Sequence, residues 1–112
     1  MATAAIDPAV FAELQATAGA DFVRELIDTF LEEAPQMLAE LSDALGAGRA
    51  DAFRRAAHSL KSNASTFGAT TLAAMARDLE LQGLATATPA ALGALARHYG
   101  EVAAELKALR DA

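Results

Sequence analysis

A lone histidine on a polar helix face is usually just a solvated side chain, but the residues around His58 also make a setting that would suit an imidazole receiving a phosphoryl group. Arg54 lies four positions before His58, Arg55 three before and Lys61 three after. On a helix these positions stand beside the imidazole. Neighbouring cations are expected to depress the ring's pKa, keeping it neutral and nucleophilic, and to attract an anion carried on its nitrogen. Ser62, one turn further on, is small enough to let another protein approach. With His58 at zero on a wheel of about 100° per residue, Asp51, Arg54, Arg55, Lys61, Ser62 and Ser65 fall within roughly 60° of it. Phe53, Ala56, Leu60, Ala64 and Phe67 take the opposite side. The expectation is one helix, apolar on its back and polar on its front, with His58 exposed midway along it.

Other chemistries have less to work with. The chain has no cysteine, so disulfides, thiolate metal sites and cysteine nucleophiles are excluded. It has two histidines, and neither lies in the Glu-x-x-His pairs of di-iron bundles. His98 and Glu101 make a single His-x-x-Glu, read as a helix-boundary feature; no metal site and no cofactor of the protein's own is expected. A net charge of −6 leaves no basic stripe for a phosphate backbone, so nucleic acid is not expected as a partner. There is no Gly-rich phosphate loop or Walker motif for ATP. No apolar run is long enough to span a bilayer and no leader is evident, which gives the expectation of a cytoplasmic protein without membrane insertion.

The elements that must hold His58 are legible from punctuation and periodicity. With 112 residues rich in alanine and leucine, the chain has room for one core and favours helices. Asp7-Pro8 opens a short helix over 7–18 that closes at Gly19, a lid on the end of the bundle. A second helix runs from about Asp21 to Leu45, with Pro35 expected to kink it. Its apolar stripe (Phe22, Val23, Leu26, Ile27, Phe30, Leu31, Met37, Leu38, Leu41 and Leu45) is wider than one partner helix requires. The third helix covers about Ala50 to Phe67 and ends at Gly68; the fourth covers Thr70 to about Gln82 and ends at Gly83. Thr88-Pro89 caps a fifth over 88–111, with a stripe of Leu92, Leu95, Tyr99, Val102, Leu106 and Leu109. Short connections imply antiparallel neighbours. The predicted fold is an all-α, up-down antiparallel four-helix bundle with an additional short N-terminal helix, one domain over residues 1–112.

The stretch from Ala57 through His58, Lys61, Ser62 and Phe67 to Gly68 and Ala69 resembles the signature of histidine-containing phosphotransfer (HPt) domains. That signature has a phosphoacceptor histidine, a lysine three residues later, a small residue next, and a glycine ten residues after the histidine. Phe30-Leu31-Glu32-Glu33-Ala34-Pro35 looks like the family's second helix, and Leu79-Glu80 like the end of its fourth. Glycine is usual in the family where this chain has Ser62, a departure expected to alter docking modestly. The resemblance implies that His58 is phosphorylated on a ring nitrogen, usually Nε2, and that Lys61 stabilises the phosphoryl oxygens. It implies response-regulator receiver domains and a hybrid sensor histidine kinase as partners, with Mg²⁺ carried by the receiver. Monomer is the default expectation. Arg54, Arg55, Ser62, Ser65 and Leu38 are expected docking residues: reflecting position 58 through the loop near 48 reaches Leu38, so exposed apolar residues within 32–41 are expected beside His58. The alternative is an adaptor bundle, a degenerate HPt domain that docks receivers without transferring phosphate.

Overall fold

In the computed structural model, which describes residues 5–112, the chain forms five helices. They are α1 (Pro8–Ala18), α2 (Ala20–Ala47), α3 (Ala50–Thr66), α4 (Thr70–Gln82) and α5 (Pro89–Asp111), with a single 3₁₀ turn at Gly83–Ala85 before α5. No strand occurs among the described residues. Helices α2 to α5 close a ring in which α3 packs on α2 and α4, and α5 on α2 and α4. This is the expected four-helix bundle, with α1 added against α2.

The helix ends follow the predicted chemistry. Asp7 caps α1 by accepting the Ala9 N–H at 2.9 Å, with Pro8 in the first turn. Thr88 caps α5 by accepting the Ala91 N–H at 3.1 Å, with Pro89 in the same role. Helix α2 continues through Pro35 without interruption. Pro35 is exposed, so the ring that removes one backbone hydrogen bond does so on the solvent side, where water can serve the freed carbonyl.

The core is built from the faces the periodicity assigned. Val23, Ile27, Phe30 and Leu41 of α2, Phe53, Leu60 and Ala64 of α3, Leu72 and Ala76 of α4, and Leu95, Val102 and Leu106 of α5 are buried together. The Phe30 ring lies 5.4 Å from that of Phe67 and meets the Tyr99 ring edge-on at 5.8 Å. Phe22 departs from the expected stripe: it is 51% exposed. It lies in the first turn of α2, where its flank of the helix has no neighbour to cover it.

Helix α3 ends where it must turn sharply. Gly68 has φ +80°, the Ala69 N–H reaches back to the Ala64 carbonyl at 2.9 Å, and the Gly68 N–H reaches Ser65 at 3.1 Å. This pair of bonds is a Schellman close. The Gly68 carbonyl then accepts the Asp7 N–H at 2.8 Å, joining the start of α1 to the α3–α4 turn.

Candidate functional site

Leu60 and Ala64 anchor one face of α3 in the core, and that anchoring turns His58 outward. Its side chain is 58% exposed, midway along a 17-residue helix. The ring is held at one nitrogen. Nδ1 lies 2.7 Å from Oε2 of Glu80 on α4. The other oxygen of the same carboxylate, Oε1, accepts a hydrogen bond from Lys61 Nζ, also at 2.7 Å. Glu80 is only 18% exposed and Lys61 29%, so this carboxylate is shared between imidazole and ammonium in a partly desolvated seam between α3 and α4.

Lys61 first, and His58 after it, hold the Glu80 carboxyl below its ordinary pKa against the opposing effect of burial. Ionised, Glu80 can only accept. Nδ1 must therefore donate, which places a proton on Nδ1; in the neutral ring the lone pair is then on Nε2. Among the described residues the ring is engaged through Nδ1 alone. In its neutral form the ring is thus oriented in one tautomer, with Nε2 unengaged among the described residues.

The residues singled out from sequence are placed as follows. Lys61 comes to the site through the carboxylate it shares with His58. Arg54 is on the exposed face but is paired with Asp51 at 2.6 Å. Arg55 turns to the α2 side, lining a groove of about 600 Å³ with Glu40, Asp43, Arg49 and Ser59. The charge set directly against the ring is thus a carboxylate and not the expected cluster of cations. Ser62 and Ser65 are exposed on the His58 side of α3. Leu38 is half-buried and lines a groove with Leu41, Leu45, Leu92 and Leu95, between α2 and α5. A second groove beside Ser59 is lined on the α2 side by Glu32, Glu33, Gln36, Met37 and Glu40. Residues 32–41 therefore offer no large exposed apolar side chain; the stretch beside α3 is acidic. Asn63 donates to the Met37 sulfur at 3.9 Å between α3 and α2.

Glu80 is the functional residue that sequence reasoning left out of the site. It was visible only as part of the Leu79-Glu80 pair at the end of α4. The register that sets α4 against α3 is what brings it to His58. His98 and Glu101 pair with each other at 3.0 Å on α5, and no group of three or more His, Asp or Glu side chains gathers among the described residues.

The Hpt domain family matches residues 25–112. This chain belongs to that family. Hpt domains are phosphotransfer modules of two-component phosphorelays, and that role applies to this chain. No curated protein sequence matches it. Among solved structures it is similar to histidine-containing phosphotransfer protein B (HptB) from Pseudomonas aeruginosa PAO1, with 32% identity, 98% of this chain and 97% of that chain covered, and a TM-score of 0.87. The similarity includes α1, which lies outside the family match. No helix among the described residues is long and apolar enough to cross a membrane.

Proposed function

We propose that His58 of this Hpt domain is the phosphoacceptor of a relay, taking a phosphoryl group from the aspartate of one receiver domain and passing it to the aspartate of another. The observation that supports the reading is the Glu80 bond to Nδ1 of an exposed side chain, which in the neutral ring leaves Nε2 as the unprotonated, unengaged nitrogen.

Nε2 attacks the phosphorus of the receiver's acyl phosphate. The N–P bond forms, the P–O bond to the aspartyl oxygen breaks, and the aspartate leaves as carboxylate. The ring keeps its Nδ1 proton and becomes a phosphoimidazolium, whose positive charge faces Glu80. In the return step the leaving group is a neutral imidazole, because the same proton stays in place. The transition state is loose and in line, so positioning and charge placement are what this chain contributes. Glu80 orients the ring and balances its charge. Lys61, held 2.7 Å from Glu80, is within reach of phosphoryl oxygens as a second partner. The receiver brings the aspartate and Mg²⁺; this chain needs no cofactor and has no route to ATP. Receivers and a hybrid sensor kinase are the partners of this reading, a monomer in the cytoplasm its setting.

The test is transfer from a radiolabelled phosphoreceiver. Label is expected on this chain, lost in acid and stable in base as for phosphohistidine, and absent from His58→Gln. Unchanged labelling of His58→Gln would sink the assignment.

A further inference from the structure

The two flanks of α3 differ in charge. On the α2 side, the grooves carry Glu32, Glu33, Glu40 and Asp43, with Arg49 and Arg55 among them. On the α4 side lies a recess of about 310 Å³, bounded by Lys61, Ser65, Gly68, Thr70, Arg77 and the tip of Val10. Its lining, completed by Ala73 and Ala74, contains two cations, two hydroxyls and no acidic side chain. In a protein of net charge −6 this lining is free of acidic side chains, and the carboxylates nearest its cations lie outside it. Lys61 is tied to Glu80. Arg77 is 60% exposed, and its carboxylate neighbour, Asp78, stands 3.8 Å away and equally open to solvent. The Arg77 guanidinium is thus a charge with a weak claim on it, one turn before Glu80 on the same helix, where a planar, two-pronged donor suits a carboxylate.

We propose that this recess is a specificity contact: it receives a carboxylate side chain of the receiver that docks over His58, with Arg77 as the principal partner and the Ser65 and Thr70 hydroxyls beside it. The proposal rests on the relay reading above and goes beyond it by fixing orientation. A receiver must turn an acidic residue to the α4 flank, because the reversed pose would set that residue against the acidic α2 flank, and like charges in contact are strongly penalised. The residue acts on encounter and register, not on the transfer step.

Single-turnover transfer from the phosphoreceiver that labels His58 fastest, among those encoded in the same genome, tests this. Half-saturating receiver concentration and maximal rate are measured for wild type, Arg77→Glu, Arg77→Lys and, as a control on the far part of α2, Arg24→Glu. Arg77→Glu is expected to raise the half-saturating concentration about tenfold and flatten its salt dependence, with the maximal rate and melting temperature unchanged. Arg77→Lys recovers part of the loss, Arg24→Glu changes nothing, and an acidic-to-lysine substitution in the receiver restores Arg77→Glu. Wild-type half-saturation and salt dependence in Arg77→Glu overturn the recess as a docking contact while the relay reading stands. Absence of label from wild-type His58 with every receiver overturns both.

Discussion

Glu80 divides one carboxylate between an imidazole and an ammonium, and each half has a different consequence. The bond to Nδ1 orients the ring and, in its neutral form, sets the tautomer; the bond to Nζ keeps a cation beside the nitrogen proposed to carry the phosphoryl group. Removing the carboxylate in Glu80→Ala frees the ring and lets the proton move to Nε2. Transfer measured by quench-flow with labelled receiver should fall by about 100-fold, the scale of one proton-holding group. Glu80→Gln keeps an acceptor but no charge, and should retain more activity than the alanine variant. A pH experiment separates charge from shape. Lys61, and to a lesser extent His58, hold the Glu80 pKa below its ordinary value in the folded protein. The unfolded chain therefore takes up this proton more readily. The contribution to stability is complete above the ordinary glutamate range and is lost as pH falls through the lowered, folded-state value. In urea titrations, wild type should lose its advantage over Glu80→Gln across that acidic interval. Curves that stay parallel from neutral to acid would mean that the carboxylate charge adds nothing to folding.

At the scale of elements, the ends of helices were the most legible feature, because Asp7-Pro8, Thr88-Pro89, Gly68 and Gly83 act through local backbone chemistry. Faces were legible too: the wheel that put His58 opposite Leu60 and Ala64 needs only the helical repeat. What crosses between helices was not. Leu38 is level with the site by sequence reflection but lines the α2–α5 groove, since a stripe that serves two neighbours does not say which residue serves which. Glu80 was missed for the same reason, as it depends on the register of α4 against α3. Gly68 shows a local rule and a tertiary demand at one residue. A Cβ there would lie 2.8 Å from Val10 Cβ and 3.1 Å from the Asp7 carbonyl, at φ +80°. Gly48, closing α2 at φ +70°, would meet nothing within 4 Å. Gly48→Ala should cost about 1–2 kcal/mol, the left-handed penalty alone, and Gly68→Ala about 2–5 kcal/mol once the clash with α1 is added. Equal urea midpoints for the two variants would show that α1 yields freely.

For the whole molecule, the segment leading into α1 ties together parts of the bundle distant in sequence. Ile6 is 1% exposed. The Ala5 and Ile6 N–H groups donate to the Glu105 carboxylate of α5 at 2.7 and 3.2 Å, and Asp7 donates to Gly68 at the α3–α4 turn. This clamp closes the end of the ring over the core. The hydrogen bonds among His58, Lys61 and Glu80, by contrast, join only α3 and α4. Stability and transfer should therefore separate. Ile6→Ala empties a fully buried position and should cost about 2–5 kcal/mol, read as a lower urea midpoint with an unchanged slope. Transfer measured where the variant remains folded should match wild type, because neither the His58 tautomer nor the Lys61 contact depends on that end. A parallel loss of transfer rate would mean that the clamp holds the α3–α4 register, and that the site is strung across the whole bundle instead of across one helix pair.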